Sequence, residues 1–323
     1  MRSLTIEETA SWLLTRNGFT IVTHRRPDGD TLGSAAALCR GLRSIGKSAH
    51  VLHNPEVTHK YAHLLQDLSK PAAQPGDVIV CVDVAAPGML PDAFSNLLGH
   101  IDLRIDHHRS SDSFTSFELV DPRAAACGQL IYDVMVQMGV HLDTPMANAL
   151  YTAISTDTGC FRYANTLSHT FEVAAACAAV SKDLPALNHA LFETNSLKRL
   201  KLQGWIVEHL QFLCQGKIAI CALPLSVEKE MGLTEDDLEN ISGFPRSIEG
   251  VKIAVTLRQQ EDGIIKISVR ALPEYDASAI CRTFGGGGHR GAAGASLDMT
   301  MEEAVEAVIR AMPDLSSEKQ GIL

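Results

Sequence analysis

Phe19-Thr20-Ile21-Val22-Thr23-His24-Arg25-Arg26-Pro27-Asp28-Gly29-Asp30 is the stretch on which the reading of this chain turns. An apolar, β-branched run stops, and a histidine and two aspartates follow at once. The pattern recurs. Asp83 follows Val78-Ile79-Val80-Cys81-Val82, and Asp106-His107-His108 follows the run from Ile101 to Ile105. A fourth piece is Asp157, in Ile154-Ser155-Thr156-Asp157-Thr158. Aspartate is a poor strand former, and a buried carboxylate is costly without a partner. One acid after a buried strand marks a turn. Four pieces that carry both carboxylates and imidazoles point to ligands converging on metal.

The donors suit two divalent ions. His24, Asp28, Asp30, Asp83, Asp157 and one or both of His107 and His108 exceed what a tetrahedral zinc site uses, and no cysteine stands among them. Carboxylates with a few imidazoles favour a hard to borderline ion, Mn²⁺ first, with Mg²⁺, Fe²⁺ or Co²⁺ as alternatives. On an extended stretch Asp28 and Asp30 point the same way, and Gly29 lets the backbone turn tightly between them. A carboxylate such as Asp83 can bridge two ions. His107 and His108 face opposite sides of an extended segment, which makes one a ligand and leaves the other for substrate. Asp106 is placed to orient the ligand imidazole through its second nitrogen.

Strands are expected at 19–23, 49–53, 78–84, 101–105 and 117–120, and helices at 4–16, 31–45, 127–138 and 145–157. This alternation predicts an α/β fold with a mainly parallel sheet covered by helices. In such sheets ligands bind beyond the carboxyl ends of the strands, where His24, Asp83 and Asp106 lie. Residues 165–213 read as helical. A smaller α/β unit begins near Lys217, with strands at 251–257 and 264–269 and helices at 277–283 and 301–312. The expected organisation is residues 1–182 as the metal-binding domain, 183–215 as a helical linker and 216–315 as a second domain, with a frayed end from Ser316.

The motifs resemble those of the DHH-family phosphoesterases: His24-x-x-x-Asp28-x-Asp30-x-x-Gly33-Ser34, Val82-Asp83, Asp106-His107-His108 and Asp157-Thr158. Phe284-Gly285-Gly286-Gly287-Gly288-His289-Arg290-Gly291-Ala292-Ala293-Gly294 is similar to the glycine-rich signature of the DHHA1 domain that often follows. Within the family, the short two-domain form looks most like the nanoRNase/pAp phosphatases. These trim very short oligonucleotides and dephosphorylate 3′-phosphoadenosine 5′-phosphate (pAp). The resemblance implies that His24, Asp28 and Asp83 hold one ion, and that Asp30, Asp83, His107 and Asp157 hold the other. A water activated between the two ions would attack phosphorus in line, in a cleft between the domains. His108, with Asp106, would act on the phosphoryl group or the leaving group. In the second domain it implies substrate contacts from Ser268 and Arg270 on a strand and from Gly286, Gly287, Gly288 and His289.

The bland readings differ in weight. An isolated glycine run is ordinarily a flexible turn, but bare N–H groups followed by His289 and Arg290 suit an anionic group. A lone strand arginine is ordinarily a surface charge, whereas the planar fork of Arg270 meets phosphate oxygens in pairs. His50, His53, His59 and His63 lie in a connecting region without companion acids and read as packing or surface residues. Cys160 reads as a packing residue. Arg109, Arg162 and Tyr163 are left undecided between loop and substrate roles.

Composition narrows the partners. Of 323 residues, 46% are apolar and 20% charged, which is ordinary for a soluble globular chain. A formal charge of −10 and only 5% aromatics argue against a track for long nucleic acid. Short oligonucleotides and pAp remain the expected partners, and a homodimer is allowed for. Acids occupy the N-terminal positions where a signal peptide is apolar, and no apolar run approaches the ~18 residues of a membrane span. Eight scattered cysteines without C-x-x-C spacing fit reduced thiols in the cytoplasm. The rival readings are a cyclic or linear di-AMP phosphodiesterase, a RecJ-type single-strand exonuclease, and a non-catalytic nucleotide-binding regulator. A family II pyrophosphatase shares the first motifs but not this glycine-rich tail.

Overall fold

The computed structural model describes residues 2–108 and 114–316. Arg109 and the chain after Ser316 lie outside the described residues. Two compact units emerge, Met1–Thr194 and Asn195–Leu323.

The first unit is built on seven strands: β1 (Arg2–Ser3), β2 (Gly18–Val22), β3 (Ser48–Leu52), β4 (Ser69–Lys70), β5 (Val78–Val82), β6 (Leu103–Asp106) and β7 (Phe117–Val120). Their order is β1-β7-β6-β5-β2-β3-β4, and every pairing is parallel. The α/β expectation is met. Five helices accompany the sheet: α1 (Ile6–Leu14), α2 (Gly29–Ser44), α3 (Cys127–Gln137), α4 (Thr144–Asp157) and α5 (Ser168–Val180). The short α6 (Leu184–Asn188) and a π-helical turn (His189–Glu193) close the unit.

Side chains of a strand alternate between faces, and the two faces bury different partners. Phe19, Ile21, Val80 and Val82 join the main core with residues of α1 to α5. Val22, Ile79 and Cys81 turn to the other face, where Leu90, Phe94 and Leu97 from 3₁₀ turns cover them. That face also holds His50, fully buried on β3 with its Nε2 3.2 Å from Thr20 Oγ1, in keeping with a packing role.

One charged residue is sunk in the sheet. Arg104 on β6 is 1% exposed, pairs with Glu118 on β7 and donates to Ala85 O. A buried guanidinium is tolerated because its two terminal nitrogens are paired, one with a carboxylate and one with a carbonyl, although Nε has no hydrogen-bond partner. It ties β6 to β7 and to the segment just after Asp83.

The second unit opens with α7 (Leu197–Glu208) and continues with β8 (Gln211–Leu213), β9 (Ile218–Leu223), α8 (Leu225–Met231) and α9 (Glu235–Leu238). Then follow β10 (Ile253–Gln259), β11 (Ile265–Ala271), α10 (Ala277–Arg282), β12 (Gly287–Gly288), β13 (Ala292–Leu297) and α11 (Met301–Ala311). The sheet order is β12-β13-β11-β10-β9-β8, with β9 and β10 parallel and the rest antiparallel. Within the stretch read as a linker, Leu202 and Ile206 of α7 are fully buried against Cys221 and Leu223 of β9. All eight cysteines are unpaired, and six are buried. Among the described residues, no helix is long and apolar enough to cross a membrane.

Candidate metal centre and active site

Three parallel strands end together and aim the following residues at one place. His24 lies two residues past β2, Asp83 one past β5, and Asp106 is the last residue of β6. Asp83 has φ +60°, a left-handed conformation uncommon outside glycine but easier for aspartate than for most residues. It turns the chain sharply, and the carboxylate is 3% exposed.

Asp28 and Asp30 do not sit on an extended stretch. Asp28 caps α2, its Oδ1 accepting from the N–H groups of Asp30 and Thr31 at 3.0 and 3.2 Å. Asp30 is in the first helical turn, so the two carboxylates point to different neighbours. Gly29 does not serve a tight turn. A Cβ there would lie 2.5 Å from Thr156 Oγ1, so its bareness lets α2 meet the end of α4. Asp157 is the last residue of α4.

The side chains gather into three overlapping groups: His24, Asp28 and Asp83; Asp30, His107 and Asp157; and Asp83, His107 and His108. His24 Nε2 stands 3.6 Å from Asp28 Oδ1 and 3.4 Å from Asp83 Oδ2. His107 Nε2 stands 3.6 Å from Asp30 Oδ2, 3.5 Å from Asp83 Oδ1 and 3.7 Å from Asp157 Oδ2. The two oxygens of Asp83 therefore face different histidines.

These separations test the fit to metal. They exceed a normal N–H···O hydrogen bond. Donors about 2.1 Å from a common ion stand roughly 3.0 Å apart at octahedral angles and 3.4 Å at tetrahedral ones. The tautomers agree. His24 Nδ1 lies 2.7 Å from Arg25 O, and His107 Nδ1 lies 3.3 Å from Ala124 O. A carbonyl only accepts, so each Nδ1 carries a proton and each Nε2 is the nitrogen left to give its lone pair to an ion, the arrangement usual for metal-bound histidine. Asp83 Oδ1 is buried and makes no hydrogen bond. The residues fit divalent ions.

The family model for the DHH family, N-terminal domain, matches residues 18–154, and that for the DHHA1 domain matches residues 215–316. The bifunctional oligoribonuclease and PAP phosphatase of Thermus thermophilus is 32% identical, over 90% of this chain and 88% of its own. The chain belongs to the DHH family. The Bacillus subtilis protein of the same name is 28% identical, over 86% of this chain and 89% of its own. The crystal structure of an exopolyphosphatase-related protein from Bacteroides fragilis superposes with a TM-score of 0.80 at 25% identity, covering 95% of this chain and 94% of that one. As a DHH-family enzyme the chain is a phosphoesterase.

The electrostatics of the DHH domain follow from crowding. Burial and the neighbouring Asp83 push the Asp30 carboxyl up. Burial likewise takes Asp157 up to about 7, against the pull of His107. Burial would raise Asp83 too, but His107 and His24 overcome it and hold Asp83 well below the usual carboxylate range. Burial disfavours charge on His107, yet Asp83, Asp30 and Asp157 drive it up to about 11. Such a cluster of acids is poised for positive charge, and bound cations invert this local logic.

His107 and His108 do not face opposite sides. The extended run ends at Asp106, and both rings approach Asp83 Oδ1, each with a nitrogen at 3.5 Å. Nor does Asp106 orient His107. Its Oδ1 accepts from the N–H groups of His107 and His108 and stands 2.8 Å from His108 Nδ1. The carboxylate thus sets the turn and aligns His108.

In the DHHA1 domain the glycine segment is less a loop than a strand pairing. Gly287 lies opposite Gly294, and Gly294 opposite Ser268. A Cβ on Gly286 would lie 2.2 Å from Gly294 O, and one on Gly288 2.6 Å from Ala293 Cα. Close backbone approach therefore demands those two glycines. At Gly287 a Cβ would meet nothing, and the residue is exposed. Arg270 pairs with Ala292, which exchanges backbone hydrogen bonds with His289. Register thus collects Ser268, Arg270, Gly286 to Gly288 and His289 at one end of this sheet. Arg162 donates from Nε to Gly159 O, and the Tyr163 ring fills the space beside Gly159. Both have local roles.

Proposed function

We propose that the enzyme hydrolyses oligonucleotides of about two to five residues to mononucleotides and removes the 3′-phosphate of pAp, using two divalent ions, Mn²⁺ by preference, in the cytoplasm. The observation that carries the reading is the double group of ligands sharing Asp83, with His24 and Asp28 to one side and Asp30, His107 and Asp157 to the other. Two such ions, when bound, supply an activated water near neutral pH and positive charge opposite the phosphoryl oxygens.

The chain's own residues do the rest. His24 and His107 direct Nε2 inward, where it would give its lone pair to an ion, because their Nδ1–H groups are engaged by carbonyls. His108, held by Asp106, serves as donor to the phosphoryl oxygens or the leaving oxygen. Arg270, Ser268, His289 and the exposed backbone at Gly287 and Gly288 bind a second phosphate of the substrate, whereas the Gly286 N–H is already committed to Cys281 O. A dinucleotide and a 3′,5′-bisphosphate share that feature. The relatives named as bifunctional oligoribonuclease and PAP phosphatase support this choice of substrates.

Incubation with Mn²⁺ and pAp, linear pApA, cyclic di-AMP, a 5-mer RNA and a 24-mer DNA tests it. Release of phosphate from pAp and of mononucleotide from pApA is expected. Turnover confined to cyclic di-AMP, or to the 24-mer, rejects the reading.

The adjacent histidines separate by their losses. His107→Ala should lower the bound metal by about one ion, whereas His108→Ala should keep both and lose roughly 10²–10³ in kcat. Metal analysis beside steady-state kinetics checks this. Metal loss in His108→Ala but not in His107→Ala would show the roles reversed.

A further inference from the structure

The segment Ala124–Gly128 hydrogen-bonds two ligands of one group directly and is linked to the third through one side chain. His107 Nδ1 faces Ala124 O at 3.3 Å. The N–H groups of Cys127 and Gly128, at the start of α3, hold the two oxygens of Asp30 at 2.7 and 2.9 Å. The third ligand, Asp157, reaches the segment through a side chain that sequence reasoning did not single out. Asn165 Nδ2 lies 2.9 Å from Ala125 O, 3.2 Å from Asp157 O and 3.4 Å from Asp157 Oδ2. All three are acceptors, so the amide orientation is determined by chemistry. Asn165 Oδ1 is buried without a hydrogen bond, which costs about 1–3 kcal/mol.

The backbone is bent to bring Asn165 there. After Asp157, residues Gly159, Cys160 and Phe161 have φ of +57°, +59° and +62°. Two of these bear side chains, and each such residue stores of order 1–3 kcal/mol. The chain folds back in eight residues, and Asn165 meets the acid it left.

We infer that Asn165 is a positioning residue that ties Asp157, through its carbonyl and a longer contact to its carboxylate, to the Ala124–Gly128 segment and so sets the affinity of one metal position, the one at Asp30, His107 and Asp157, while leaving the His24 and Asp28 position alone. The inference rests on the two-ion reading. Outer residues of this kind are worth roughly 10–100-fold in metal affinity.

The test is calorimetric titration of metal-free enzyme with Mn²⁺, for wild type, Asn165→Ala and Asn165→Asp, with melting curves alongside. Asn165→Ala should weaken one of two Mn²⁺ affinities about 10–100-fold and spare the other. Its kcat should recover at saturating Mn²⁺ with KM unchanged. Asn165→Asp should be worse than Ala, because it sets a carboxylate against three acceptors. If Asn165→Ala fails to fold, Asn165→Ser takes its place, with the same selective weakening expected, since a hydroxyl cannot span all three oxygens. Equal weakening of both affinities, or a lowered Tm with both affinities intact, overturns the inference. A wild type that binds no Mn²⁺ overturns the two-ion reading and this inference with it.

Discussion

Asp83→Ala is expected to lower turnover by roughly three orders of magnitude or more, about 4 kcal/mol of transition-state stabilisation. The reason is geometric. Asp83 Oδ2 faces His24 Nε2 at 3.4 Å and Oδ1 faces His107 Nε2 at 3.5 Å, so one side chain serves both ligand groups. Removing it damages both positions at once, whereas loss of any other ligand damages one. Alanine is an imperfect probe, because the residue has φ +60° and a left-handed alanine costs about 1–2 kcal/mol. Asp83→Asn keeps the shape and tolerates that conformation while removing the charge. It should match alanine in lost activity and bound Mn²⁺ but retain more of the wild-type Tm. One tightly bound zinc with full activity after other ions are chelated would overturn the account.

The second large effect concerns substrate length. A dinucleotide should exceed a 24-mer by about 10² or more in kcat/KM, or roughly 2.7 kcal/mol. A metal site beyond strand ends accepts any phosphate ester that reaches it, so selectivity has to come from elsewhere. The DHHA1 register brings Arg270, Ser268, the exposed backbone of Gly287 and Gly288 and His289 together on one sheet, enough for one remote phosphate. A net charge of −10 and few aromatics argue against a grip on a long strand. Arg270→Ala should therefore cut kcat/KM for the dinucleotide about 10–100-fold, through KM and also kcat, because remote binding energy positions the scissile phosphate. Metal content should not change. Equal kcat/KM for both lengths in wild type, or an unaffected dinucleotide in Arg270→Ala, would remove this clamp.

Much of this was legible in the residue order. β-branched runs ending in His24, Asp83 and Asp106 announce a parallel sheet with acids at its carboxyl edge, because only buried strands read as continuous apolar segments. The type and order of the donors announce metal. Five of the seven strands follow with shifts of a residue or two at their ends, whereas β1 and β4, two residues each, are too short to leave a pattern.

Where a side chain points was not legible, because direction depends on backbone conformation that distant contacts impose. Asp28 and Asp30 diverge because Asp28 caps a helix whose Gly29 abuts Thr156, a residue over a hundred positions away. His107 and His108 converge because the strand stops at Asp106 and its carboxylate binds both following N–H groups. Gly286 and Gly288 are needed where two strands nearly touch, which nothing in a run of four glycines reveals. Asn165 is the clearest case. Its neighbours in sequence mark it as an ordinary loop residue. It meets Asp157 and Ala125 only because three left-handed residues turn the chain back, and a contact across forty positions belongs to the tertiary fold alone.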